Sequence, residues 1–504
     1  MSKGYRRWIG ALALLVTLAA ASSAVMGADR SIPASSLFDT AWGDPSPFSS
    51  GLVAAEQTGS SNLLAAGATV YHVYMTVDAS LSTVSVDMEM AYTNREDDPL
   101  NELVFRAFPL LVGGSIDGLS ATVHGQTAAA ATDAASGVLT VALPEPLEPG
   151  GGLVVHLSFL IRLPDAPTGH YGILESLGDS ASLAHVLPIA AVYDEQHWRI
   201  EPPPAYGDVT YADIAFFLVR ITAPSELTIV ASGVEIERSE GGLTQSRTYA
   251  AGPAREFYVT VDANLDVVTE SVGEVTVNSY APPELGASAA IALGIAAEAL
   301  RVYEDLYGAY PYTELDVVAS PIRAGGMEFP GVVLVGEAEY GRAVRPSEEP
   351  ADFFELAVAH EIGHQWFYNL VGSDQISEPW LDEAVTQYAT WRYFDARYGA
   401  AGAASFANWV NGRMLGLPTP PPAIGWPVSA YSAATYGPVI YARGPQFLKL
   451  LELDVGRETF DAFLRTYVDE FRWQLVTTET FRDLLASVCS CDLALLFAEW
   501  VYGN

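Results

Sequence analysis

Val358-Ala359-His360-Glu361-Ile362-Gly363-His364-Gln365-Trp366 and, nineteen positions past its second histidine, Glu383 within Trp380-Leu381-Asp382-Glu383-Ala384 decide how this chain reads. Phe353, Phe354, Leu356, Ala357 and Ala359 lead into the first segment with no Gly or Pro between Ala351 and Ile362, which predicts a helix. Helix positions i and i+4 share a face, so His360 and His364 can aim their imidazoles at one point. Two neutral imidazoles and one carboxylate make an open zinc site with a fourth position for water. Glu361, beside the first histidine, is placed to accept that water's proton. The chain has only eight histidines in 504 residues, so this spacing is specific. Gly363, inside the motif, leaves room for another segment or a substrate to approach.

Glu383 is the expected third ligand, giving one zinc ion per chain. Its segment starts at Pro379, a residue favoured in a first helical turn, and Trp380, Ala384, Gln387, Tyr388 and Trp391 recur at helical spacing. Asp382 and Glu378 are the rivals. Asp382 points about 100° away around a helix, and Glu378 precedes the proline. An ordinary acidic helix start, favourable with the helix dipole, accounts for all three without a metal.

Two further stretches complete the pattern: Gly325-Gly326-Met327-Glu328-Phe329-Pro330 upstream and Tyr441-Ala442-Arg443-Gly444 downstream. In order and spacing the set resembles the gluzincin zinc aminopeptidases of the aminopeptidase N type. It is similar to their Gly-x-Met-Glu-Asn strand, His-Glu-x-x-His helix, distal Glu and Tyr-x-Lys-Gly motif. The resemblance implies zinc held by His360, His364 and Glu383, with Glu361 as general base. It implies a substrate strand at Gly325, Gly326, Met327 and Glu328, with Glu328 on the free α-ammonium group, and Tyr441 on the oxyanion. Tyr436, five residues earlier, is the alternative tyrosine. Phe329 departs from the family's Asn, and Arg443 stands where the motif has Lys. Family members typically continue into a large helical carboxy-terminal domain. The chain ends at Asn504, so the resemblance is to a short form, which implies a more open cleft and looser exopeptidase selectivity.

At the amino end, Lys3, Arg6 and Arg7 precede an uncharged apolar run from Trp8 to Ala21 and then small residues. That is the layout of a signal peptide over 1–28 and predicts a secreted, periplasmic or surface protein. An uncleaved membrane anchor is the rival, and no later segment is expected to cross a bilayer. The net charge of −36 reflects scarce lysine, with only Lys3 and Lys449 present. Such a surface argues against nucleic acid or anionic membrane as a partner. Cys489 and Cys491 can close a small ring or stay reduced, and neither is expected to bind metal.

Residues 29–66, rich in Ser, Ala and Gly, read as a flexible linker. From Tyr71 apolar residues alternate, as in Val84, Val86, Met88 and Met90, and turn residues separate the runs, predicting a sandwich-like antiparallel β domain over 67–268. Helical periodicity begins at Glu284, and 269–504 is expected to form a thermolysin-like mixed α/β domain with further helices near Tyr441–Leu453, Arg457–Tyr467 and Thr480–Val488. The expected class is multidomain α+β. The expected function is a zinc metallopeptidase acting on peptides as an aminopeptidase. A metalloendopeptidase with an open cleft and a non-catalytic surface binding protein are the alternatives.

Overall fold

A computed structural model describes residues 36–165, 169–343 and 352–503. The proposed leader at 1–28 lies outside them. The β region is built on an eight-stranded sheet in the order Val234–Gly241, Thr244–Ala254, Ala215–Pro224, Thr69–Val77, Thr83–Thr93, Gly152–Arg162, Ser115–Val123, Gln126–Ala128. Alternation sets its register. Val86 lies opposite Phe159 and Met88 opposite Leu157, which puts both apolar rows on one face. Neighbours run antiparallel, except that Thr69–Val77 and Ala215–Pro224 are parallel. Two four-stranded sheets complete the layered region.

The strand Ala215–Pro224 is apolar on both faces for a physical reason. Phe217, Val219 and Ile221 face the core of the β region, whereas Phe216 and Leu218 join the core of the carboxy-terminal region. Arg255 ties the two together. Its buried guanidinium donates to the carbonyls of Tyr368, Ala212 and Gln474 at 2.6, 2.9 and 2.8 Å. Burial lowers its pKa to about 10. Gly372 makes room for it, since a Cβ there would lie 2.1 Å from the guanidinium carbon.

The reading of 29–66 as a flexible linker is corrected from Leu37 onward. Leu37, Phe48, Leu52 and Leu64 are buried in the core of the carboxy-terminal region. The backbone there pairs with the same region, Val53 donating to Pro311 and Thr313 to Gly51 at 3.0 Å each. Sparse anchors in a Ser/Ala/Gly-rich background leave no period, which is why the sequence reads as a tether.

The sheet of the carboxy-terminal region has five strands, β1 (Asp266–Val272), β2 (Val275–Ala281), β3 (Glu314–Ser320), β4 (Gly326–Phe329) and β5 (Val332–Gly336), in the order β1-β2-β3-β5-β4. Strand β4 runs antiparallel to β5 at the sheet edge. Helix α1 (Gly286–Tyr307) packs on β1 and β2 and against α2 (Phe353–Gly363). The expectation that no later segment could span a bilayer needs correction. Pro283–Tyr307 is long and apolar enough by length and composition. Its Ala292, Ile295, Ala296, Ala299 and Leu300 are nevertheless buried in the protein core.

Helix α3 (Glu383–Arg413) is interrupted at Gly399, whose φ of 61° and ψ of −150° turn the chain. The second arm folds back on the first, with Phe406 against Trp391 and Phe394 at 5.5 and 5.7 Å between ring centroids. Helices α4 (Gly444–Val455), α5 (Arg457–Glu470) and α6 (Thr478–Cys489) follow. A five-residue π-helical turn, Val439–Arg443, precedes α4 and holds Tyr441. Cys489 and Cys491 form a disulfide.

Candidate active site

Buried apolar neighbours on every side of α2 fix His360 at its last turn and His364 at its C-cap. Their Nε2 atoms lie 3.1 Å apart, and Glu383 Oε2, from the first turn of α3, lies 3.0 Å from one and 3.5 Å from the other. Asp382 occupies the far side of His364, with Oδ1 2.6 Å from Nδ1. A proton on that Nδ1 turns the Nε2 lone pair toward the centre, and Thr390 Oγ1 stands 3.5 Å from Nδ1 of His360. Glu378, the other rival, is elsewhere and accepts from the Thr478 amide at 3.0 Å.

These donors fit a metal ion. Bonds of about 2.0–2.2 Å in a tetrahedral array space donor atoms about 3.3–3.5 Å apart. Two imidazoles and one carboxylate are the donor types zinc takes. The electrostatics ask for positive charge. Burial opposes a charge on His364, yet Asp382 and Glu328 outweigh it and push its pKa well above the usual imidazole value. Burial also pushes the Glu383 carboxyl up, but hydrogen bonds from His360 and His364 hold it well below the ordinary range.

Glu361 faces the same cleft from α2. Burial raises its carboxyl to about 8, with His364 opposing and Glu383 and Asp382 reinforcing. Gly326 on β4 exists for this side chain, because a Cβ there would sit 2.2 Å from Glu361 Oε1. Gly325 is similarly close to Phe353, with 3.1 Å from a Cβ to the ring. Met327 packs into the β-region core. Gln365 holds the β4–β5 turn to α2, accepting from the Gly331 amide and donating to the Phe329 carbonyl, both at 3.0 Å. The departure at Phe329 has a packing explanation: its ring stacks on Tyr258 at 4.3 Å, joining the strand to the β region.

Glu328 points into the cleft and accepts from Gln375 Nε2 at 3.1 Å, while the same amide donates to Asp382 Oδ2 at 2.6 Å. Asp208 completes this corner. Its carboxylate lies within 4.8 Å of those of Glu328 and Asp382, and its Oδ2 is buried without a hydrogen-bond partner among the described residues. Burial, then Glu328 and Glu383, push the Asp208 carboxyl well above its ordinary range. Burial and the neighbouring acids Asp382, Glu361 and Glu383 do the same to Glu328, against His364. Asp208, Glu328, Glu361, Asp382 and Glu383 are all at most 8% exposed, so one pit gathers five carboxylates around two histidines.

Tyr441 reaches this pit and donates to Glu383 Oε1, the oxygen turned away from the histidines. Gly444 explains the closing glycine of the motif: a Cβ there would lie 2.3 Å from Ala384 Cβ, next to Glu383. Arg443 stacks over Trp500 at 4.0 Å. Tyr436, the rival, also lines the cleft of about 290 Å³, and its buried hydroxyl has no partner. Sequence reasoning missed Asp208 and Gln375. Asp208 sits in a loop without period or motif, and only the fold of the β region delivers it.

Comparison with known proteins agrees with this arrangement. Residues 291–500 match the peptidase family M1 domain. Aminopeptidase M1-B of Oryza sativa subsp. japonica is 25% identical over 419 residues, covering 80% of this chain and 46% of that protein. Aminopeptidase B of Mus musculus is 31% identical over 199 residues, covering 37% of this chain and 29% of that one. The chain thus spans less than half the length of these curated relatives. An M1 zinc metallopeptidase from Deinococcus radiodurans superposes with a TM-score of 0.64, at 22% identity, over 86% of this chain and 94% of that one. A variant from that organism with a Tyr-Ser-Ala substrate bound superposes at 0.65. At that identity the likeness is one of fold.

Proposed function

We propose, from the match of residues 291–500 to the peptidase family M1 domain, that this chain is a zinc-dependent aminopeptidase releasing amino-terminal residues from peptides. The carrying observation is the pit of five buried carboxylates, which divides into two cation sites. One is the metal-spaced set His360, His364 and Glu383. The other is the pair Asp208 and Glu328, suited to an ammonium group. When bound at the first set, zinc supplies Lewis acidity for the scissile carbonyl.

The chain's own residues do the rest. Asp208 and Glu328 hold the substrate ammonium and thereby fix which peptide bond reaches Glu361. Glu361 takes a proton from the attacking water and returns it to the leaving amine. Tyr441 donates its hydroxyl proton in a hydrogen bond to the developing oxyanion, a contact worth about 3 kcal/mol in comparable sites. Asp382, braced by Gln375, holds His364 in its ligand orientation. Export is part of the proposal. The basic-then-apolar start of the sequence and the Cys489–Cys491 disulfide both suit an oxidising compartment.

The test compares amino-acid amides with their N-acetyl forms on the zinc-loaded protein. Charge-assisted hydrogen bonds contribute roughly 1.5–3 kcal/mol, so acetylation should lower kcat/KM at least about 10-fold and by about 100-fold or more if both carboxylates contribute. Equal rates on free and acetylated substrates would leave an endopeptidase on the same metal and base.

A further inference from the structure

At the rim of the cleft the second arm of α3 brings Trp409 and Arg413 opposite residues of the first arm, Glu383 and Gln387, in the same cavity. The turn at Gly399 makes this possible, because a straight helix would carry position 413 about 45 Å from position 383. Arg413 is held in place. Its guanidinium lies over the Trp409 ring at 4.9 Å, and Gly437 opposite leaves it space, since a Cβ there would come within 3.2 Å.

Its surroundings leave it without a carboxylate partner among the described residues. With 61 acidic residues against 25 Lys and Arg, carboxylate partners are plentiful, yet Arg413 makes no ion pair among the described residues. Burial lowers its pKa, and the nearby Tyr441 hydroxyl opposes that shift. Asp208 and Glu328, the acids of the ammonium corner, sit among other acids: Glu328, Glu383 and Asp382 act on the first and Asp382, Glu361 and Glu383 on the second. The cleft therefore offers carboxylates in one place and, elsewhere on its lining, a stacked guanidinium with no carboxylate partner among the described residues.

We propose that Arg413 is a specificity residue that binds a substrate carboxylate, selecting short peptides whose carboxyl terminus lies a residue or two beyond the scissile bond. The guanidinium fork donates to both carboxylate oxygens, an interaction an amide or a longer chain cannot make in the same way. This inference rests on the aminopeptidase reading, and it turns a cleft that merely tolerates peptides into one that recognises both ends of a zwitterion. An acidic side chain at the same distance presents the same chemistry.

The experiment measures kcat/KM for Leu-Ala-Ala, its carboxy-terminal amide and Leu-Asp-Ala amide on the zinc-loaded parent, Arg413→Gln and Arg413→Lys. The parent should prefer the free acid over its amide by about 10-fold, a modest value because Arg413 is solvent-accessible. Arg413→Gln should bring that ratio to near one, and Arg413→Lys should keep part of it. If only the Asp-containing amide gains over the Ala-containing amide, and loses its gain in Arg413→Gln, the recognised carboxylate is a side chain, and the carboxylate site stands with that source. A parent that cleaves all three alike, or a preference that survives Arg413→Gln, overturns the assignment and leaves the aminopeptidase reading intact. A zinc-loaded parent that cleaves none of them removes both.

Discussion

At the scale of single residues the account separates groups that hold the metal from groups that move protons. Glu361→Gln keeps the shape of the side chain and removes its basicity, so turnover should fall by about 10²–10⁴ while zinc content by atomic absorption stays at the parent level. Glu383→Ala should instead lower bound zinc. Full zinc occupancy in that variant would return the ligand role to another acid, with Asp382, which touches His364, placed ahead of Glu378. This part of the site was legible in the sequence because each residue sits in a short motif whose spacing is itself the chemistry: one helical turn between His360 and His364, and a proline-started helix before Glu383. Asp208 was not legible. It carries no spacing, and its proximity to Glu328 arises from a loop of the β region folding over the catalytic edge strand.

At the scale of elements the glycines of the motifs acquire reasons. Gly326 permits Glu361 to lie against β4, and Gly444 lets α4 approach Ala384 on α3. Gly326→Ala should displace the Glu361 carboxylate without touching a ligand, giving a protein with parental zinc and kcat lowered by about 10-fold or more, as expected when a base loses its alignment. Parental kcat in Gly326→Ala would show that Glu361 is free to relocate without cost. The helices after Tyr441 follow the expected periodicity closely, with α4, α5 and α6 within a few residues of the stretches read as helical. The fold-back of α3 is different. Gly399 lies in a run of small residues, Gly399 to Ala404, and nothing local distinguishes a turn there from a weak stretch of one long helix.

At the scale of the whole molecule, two layers of interaction join the β region to the catalytic region: the two-faced strand Ala215–Pro224 and the buried Arg255. Arg255→Met removes three charge-assisted hydrogen bonds and strips the Ala212 and Tyr368 carbonyls of this donor, while the Gln474 carbonyl keeps only the Gly372 amide. A loss of about 3 kcal/mol or more follows from the cost of unsatisfied buried acceptors, so the thermal unfolding midpoint should fall, and an unchanged midpoint would show the joint to be borne by apolar packing alone. The same joint fixes the register of Asp208 against Glu328, which is why the ammonium corner is a property of the assembled molecule. The segment 37–66 belongs to this scale as well, since its role shows only where Leu37, Phe48 and Leu52 meet residues hundreds of positions away.

The central claim is that the carboxylate corner makes this metal site cut one residue from a free amino end. Mass spectrometry of a ten-residue peptide digested by the zinc-loaded protein tests it most directly, with the N-acetylated twin digested alongside. The account predicts a ladder of products each one residue shorter from the amino end, and an intact acetylated peptide. Internal fragments appearing equally from both peptides would contradict it.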